Sequence, residues 1–200
     1  KNIIIIFATT YVSAYCAKPI VGGHALYIAD KVTIDSSSFI QAIILALFVT
    51  PFAIIFGYFA KKASSHRITG KEILWTLPFA FLILGGLSAY LPIFMGNGQV
   101  LAQWIFSGNS SAYLPVILII KCLLVCLLLR GGAYGGTLTP SFALGVGTGY
   151  LITVLLGNFG FSHSLSLGML LGATVFLGTT LDAPLTGIAL VVGFTGTGGV

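Results

Sequence analysis

From Phe39 to Phe59 the chain carries no charged side chain, and about 20 such residues suffice for a helix to cross a bilayer. Other long apolar runs follow, from Ile73 to Phe94, Tyr113 to Leu129, Pro140 to Leu156 and Leu165 to Leu181. Shorter ones occupy Asn2 to Ala17, Val100 to Phe106 and Leu185 to Val192. A water-facing surface cannot be built from such material. Only 6% of the residues are charged, against about 25% in a soluble domain. The expected fold class is therefore all-α, a polytopic protein partnered by the lipid bilayer.

The runs are not those of simple helical hairpins. Several are shorter than a bilayer, and Pro51, Pro78, Gly85-Gly86 and Pro92 fall inside or at the ends of others. Non-helical backbone at membrane depth is tolerated only where protein buries it or water lines it. Tilted and broken helices thus point toward an ion or substrate pathway. The plainer alternative is that Gly and Pro are frequent in membrane helices generally. The clustering of the 26 glycines at segment ends favours a pathway.

Charge placement bears on orientation. Lys61, Lys62, Arg67 and Lys71 share one short stretch with Glu72 as its one acid, whereas the polar loop from Lys18 to Ser37 balances Lys18 and Lys31 against Asp30 and Asp35. The positive-inside rule makes the Lys61–Lys71 loop cytoplasmic. The net charge of +5 does not imply nucleic acid, because no basic stripe interleaved with aromatics exists. With an apolar run at its start and another just before its end, the chain reads as a piece of a larger transporter.

Catalytic chemistry finds no foothold. No nucleophile–base pair, phosphate loop or dinucleotide fingerprint occurs, so neither an enzyme nor a cofactor is expected. Cys16 stands alone, and Cys122 and Cys126 share a helical face without further ligands, which favours small packing residues over a metal. His24, His66 and His163 read as loop residues, and Met95-Gly-Asn-Gly98 as a turn.

The strongest local feature is Gly135-Gly-Thr-Leu-Thr-Pro140, continued by Ser141-Phe-Ala-Leu-Gly145. Thr139 suits an N-cap and Pro140 a first helical position, directly after glycines that let a ligand approach the backbone. A helix start presents unpaired N–H groups and the positive end of the macrodipole. An anion is held there without a full countercharge, and so can leave again. An ordinary capped helix after a flexible turn fits the same residues. Lys121, midway along an apolar run, must face protein or a water-filled space. Asp182, ahead of Ala183-Pro184, reads as the N-cap of a short last helix, with an intramembrane proton carrier as the alternative.

Together these residues resemble the CLC family of chloride channels and chloride/proton antiporters. Gly-Gly-Thr-Leu-Thr-Pro resembles its GGxFxP-type motif, and Ala183-Pro-Leu-Thr-Gly187 its APLTG segment. The resemblance covers Tyr113 to Val192 well, and the earlier part matches in its pattern of helices and loops. It implies two inverted repeats per subunit and a homodimer. Residues 1–17 would end the first repeat, and residues 38–200 would form most of the second, within one transmembrane domain.

By the same resemblance, the backbone amides of Thr137, Leu138 and Thr139 face the anion, and Gly135 and Gly136 allow its approach. Lys121 corresponds to a basic residue near the inner pore mouth, where it would attract anions, with a structural partner for carbonyl groups or for an acid as the alternative. Asp182 and Pro184 mark a helix start near the pathway. Leu138 replaces the usual Phe and Thr137 an aliphatic residue, which keeps fluoride beside chloride as a candidate ion, with protons as a coupled partner. Gly193 stands where relatives often place Glu. The implied location is the plasma (inner) membrane of a bacterium. Alternatives of other kinds are a broken-helix transporter of an organic anion and a non-transporting scaffold whose glycine faces only pack helices.

Overall fold

A computed structural model describes residues 9, 11–13, 15–16, 26–28, 36–109, 112–158 and 164–195. Seven helices follow one another within 36–195: α1 (Ser36–Ser65), α2 (Ile73–Tyr90), α3 (Gln99–Phe106), α4 (Leu114–Arg130), α5 (Leu138–Asn158), α6 (Leu165–Thr180) and α7 (Pro184–Thr195), with 3-10 turns at Gly70–Glu72 and Pro92–Phe94. Residues 9, 11–13 and 15–16 are also helical. No strand occurs among the described residues, and the fold is the expected all-α membrane type. Three helical stretches, Ser38–Ser65, Gly70–Tyr90 and Leu138–Asn158, are long and apolar enough to cross a membrane.

Proline interrupts less than expected. α1 continues through Pro51 and α2 through Pro78 and Gly85-Gly86. Within a membrane helix, neighbouring groups and local adjustment compensate for the missing N–H. α1 also outruns the apolar segment and ends at Ser65, so Lys61 and Lys62 belong to a helix rather than to a loop. α2 turns Leu74, Trp75, Phe79 and Leu82 outward and buries Ala80 alone. Such a surface requires lipid or further protein around it.

Glycine makes the core. Gly145 and Gly149 of α5 face Gly168 and Gly172 of α6. A methyl group at Gly172 would stand 2.5 Å from both the Gly145 carbonyl oxygen and the Gly149 Cα. Backbones this close exchange dispersion contacts that lipid cannot replace, the usual basis of small-residue association in membranes. Gly187 of α7 also sits close to α6, where its Cβ would lie 2.8 Å from the Gly178 nitrogen. α1 packs on α6 through Phe56 and Phe176, with ring centroids 5.7 Å apart. Threonine hydroxyls inside the bundle donate to carbonyls of the preceding turn, as Thr153 does to Gly149 at 2.8 Å, which satisfies these hydroxyls in an apolar setting.

One loop residue enters the core. Tyr27 is fully buried, stacked on Phe142 at 4.5 Å and flanked by Phe106 and Phe194. Its backbone N–H donates to the Phe194 carbonyl at 2.9 Å, and the next N–H, of Ile28, donates to Gln103 Oε1 at 3.0 Å. The stretch expected to be a polar loop thus inserts an aromatic plug among α3, α5 and α7. Burial pushes the Tyr27 phenol up to about 12, and it stays neutral.

Candidate anion site

The site begins where α4 turns into α5. The glycine-rich link divides by function. Gly131 and Gly132 pack: the Gly131 carbonyl accepts from Thr76 Oγ1 at 3.0 Å, the Arg130 carbonyl from Ile68 N–H at 2.9 Å, and Gly132 adopts a φ of +113° against Ile73. Arg67 stacks over Tyr134 at 4.0 Å, which fastens the basic segment to the same link. Gly135 and Gly136 are open by contrast. Both are exposed, and a Cβ at either would meet no heavy atom within 4 Å.

α5 starts two residues earlier than the sequence indicates. The Ser141 N–H donates to the Thr137 carbonyl at 2.8 Å, so Thr137 holds the N-cap position and Pro140 is the third helical residue rather than the first. Proline fits anywhere in the first turn, because those N–H groups have no intrahelical acceptor. Spacing alone cannot separate the registers. The shift places the amides of Leu138 and Thr139 in the first turn, where helix geometry offers them no acceptor. Residues 137–139 are half-buried, not sealed against protein.

A cleft of about 250 Å³ opens in front of Gly135, Gly136 and Thr137, walled by Gly57, Lys61 and Ser64 of α1 and Thr180 of α6. Lys61 also lines a neighbouring cleft of about 600 Å³ with Asp182 and Pro184. Its Nζ lies 3.0 Å from Asp182 Oδ2, with both side chains well exposed. Sequence reading missed Lys61 by ending the helix at Phe59. The helical stripe Ala53, Phe56, Gly57, Ala60, continued by Lys61 and Ser64, carries the information.

Asp182 is not the N-cap of α7. Its φ is +53°, the left-handed conformation. The Ala183 N–H donates to the Gly178 carbonyl at 3.0 Å and the Asp182 N–H to Thr179 at 3.4 Å, the bond pair that closes a helix C-terminus. Asp182 therefore ends α6, as short polar residues can. Ala183 takes the N-cap position, its carbonyl accepting from Gly187 at 3.0 Å. Pro184 is the first residue of α7, and both Asp182 and Pro184 line the neighbouring cleft.

Lys121 is 2% exposed, and its ammonium donates to the carbonyls of Phe94 at 2.9 Å and Gly96 at 2.8 Å. Of the alternatives, the partner for carbonyl groups is the one observed, whereas a vestibule charge would need access to water. The clamp still touches the site. It fixes the turn at 95–98, whose Gly98, at a φ of +108°, is so close to α5 that a Cβ would lie 2.9 Å from Ala143 Cβ and 3.5 Å from the Thr139 oxygen. The turn expected at Met95–Gly98 is present.

The remaining candidates stay apart from the site. His66 follows the last residue of α1, with Nδ1 3.0 Å from the Lys62 carbonyl oxygen, while His24 and His163 lie outside the described residues. Cys122 and Cys126 are half-buried thiols on α4. No group of three or more His, Cys, Asp or Glu that could hold a metal ion occurs among the described residues.

Comparison with known proteins identifies the family. The family described as "Voltage gated chloride channel" matches residues 1–200. The H(+)/Cl(-) exchange transporter ClcA of Vibrio cholerae serotype O1 (strain M66-2) is 30% identical over 152 residues, covering 72% of this chain and 32% of the relative. ClcA of Vibrio parahaemolyticus is 32% identical over 135 residues, 65% of this chain and 28% of the relative. The voltage-gated ClC-type chloride channel ClcB of Escherichia coli (strain SMS-3-5 / SECEC) is 30% identical over 131 residues, 61% of this chain and 30% of the relative. The chain spans about a third of the length of these curated relatives. No solved structure matches it significantly. The chain belongs to the voltage-gated chloride channel family, the CLC proteins.

Proposed function

We propose that the parent protein carries chloride across a membrane and that the start of α5 holds the ion in transit. The observation that carries this reading is the open backbone at Gly135 and Gly136 in front of a first turn with unpaired amides. A scaffold built only to pack helices has no use for a cleft in front of a helix start, whereas glycines 145, 149, 168 and 172 are closed by packing contacts between α5 and α6. Partial charges at a helix start attract an anion, yet bind it weakly enough for release. Lys61 on the cleft wall adds a mobile positive charge, and Asp182 keeps it from becoming a trap.

In this reading residues 38–200 are most of the second of two inverted repeats, residues 1–17 end the first, and two subunits form a homodimer. The basic end of α1 and the segment to Lys71 face the cytoplasm of a bacterial cell, in line with the positive-inside rule. Proton coupling is a property of the relatives named as exchange transporters, and a channel also stands among the relatives. Thr137 and Leu138 depart from the family's motif in side chain, which bears on ion preference, so fluoride is tested beside chloride.

Halide flux from liposomes holding the full-length parent protein, with pH recorded, tests the proposal. Chloride flux is expected. Accompanying proton movement assigns an antiporter and its absence a channel, while faster fluoride than chloride flux assigns the fluoride branch. A folded protein that moves neither halide contradicts the proposal.

A further inference from the structure

A third cavity has a different chemistry. It occupies about 750 Å³ between α1, α2 and α4, a volume within the ordinary range for small-molecule sites, about 300–1,000 Å³. Its walls are apolar, including Phe59, Ile83, Leu87, Leu123 and Leu127, and one end carries Lys62, His66 and Arg130. No acidic residue lines it. Asp182 is bound by Lys61 elsewhere on α1, and among the described residues neither Lys62 nor Arg130 makes an ion pair. Lys62 merely overhangs the Tyr58 ring at 5.7 Å.

The basic end is set by the fold. α1 ends at Ser65 and α4 at Arg130, and the Ile68–Arg130 backbone bond at 2.9 Å ties the two ends together. Both cations thereby come to the same mouth, while the groove runs from that mouth along α2 and α4 toward Ile83 and Ile120. An apolar protein segment seated there would leave the cations against hydrocarbon. An amphiphile with an anionic head satisfies both parts at once, and basic pockets between membrane helices bind such heads.

We propose that this groove holds one anionic phospholipid, its phosphate among Lys62, His66 and Arg130 and an acyl chain along Phe59, Leu87 and Leu127. The assignment is independent of the ion the protein transports. Native mass spectrometry of the full-length parent, released from nanodiscs of mixed phosphatidylcholine and phosphatidylglycerol, counts the phosphatidylglycerol kept per subunit. The double substitution Lys62→Ala/Arg130→Ala is expected to lower that retention by about fivefold per cation removed, the equivalent of roughly 1 kcal/mol each. Leu127→Trp, which fills the groove and leaves the cations, is expected to lower it as well. Lys71→Ala, at the same end but outside the groove, is expected to leave it unchanged. Unchanged retention in either groove variant, or an equal loss in Lys71→Ala, overturns the proposal.

Discussion

Lys61 of α1 and Asp182 at the end of α6 meet at 3.0 Å beside the cleft that exposes the start of α5. Because both side chains are well exposed, the pair adds little stability, about 0–1 kcal/mol. Its consequence is electrostatic. Asp182→Asn frees the ammonium and should raise the apparent chloride affinity, whereas Lys61→Gln should lower it, by about three- to tenfold, toward the low end of electrostatic steering effects. Flux measured against chloride concentration checks both. Raised ionic strength from an impermeant salt should shrink the difference, since exposed charges are screened.

Lys121 should behave in the opposite way. Lys121→Met leaves the carbonyls of Phe94 and Gly96 without their donor, and hydrogen bonds to a charged group contribute about 1.5–3 kcal/mol each. Thermal unfolding in detergent should therefore show a marked loss of stability, with Lys61→Gln close to wild type. If the two substitutions were equally mild, the clamp would not hold the turn at 95–98.

The glycine contacts of α5 and α6 lead to a paired prediction. Gly172→Ala places a methyl group 2.5 Å from two backbone atoms of α5. The helices must then separate, at a cost of about 1–3 kcal/mol. Gly85→Ala in α2 meets nothing within 4 Å and should stabilise by up to about 1 kcal/mol through helix propensity. Denaturation of the two variants by the same method should give opposite signs.

Tyr27 separates packing from polarity. Among the described residues its hydroxyl has no hydrogen-bond partner, and an unpaired buried hydroxyl costs about 1–3 kcal/mol. Tyr27→Phe should leave stability unchanged or raise it. Tyr27→Ala removes the ring stacked on Phe142 and should cost about 3–5 kcal/mol. Chemical denaturation of both variants distinguishes a structural plug from a hydrogen-bonding residue.

Much of this arrangement is legible in the sequence because the bilayer constrains it so tightly. Apolar runs mark each of the seven helices described within 36–195, and the break at Gly131–Gly136 pointed to the site. What was not legible depends on tertiary partners. Proline suits any position in a first turn, so Pro140 could not reveal that α5 begins at Leu138. An aspartate before Ala-Pro has the composition of an N-cap, yet the Gly178 and Thr179 carbonyls turn Asp182 into the end of the previous helix. Lys61 was hidden by a boundary drawn where hydropathy ends, although the helical stripe continues past it. Tyr27 had no local mark at all, since only the aromatic rings of α3, α5 and α7 make a buried site for it.

The central claim is that backbone N–H groups of the first turn of α5 hold the anion, and Leu138 offers a direct test. Proline is well tolerated at a first helical position, so Leu138→Pro deletes one amide donor while the helix start is retained. Leu138→Ala keeps the donor and shortens only the side chain. Chloride flux from liposomes should fall about tenfold or more in Leu138→Pro, in keeping with a lost hydrogen bond to a charged group, and stay near wild type in Leu138→Ala. Equal flux in the proline variant and wild type would contradict the account.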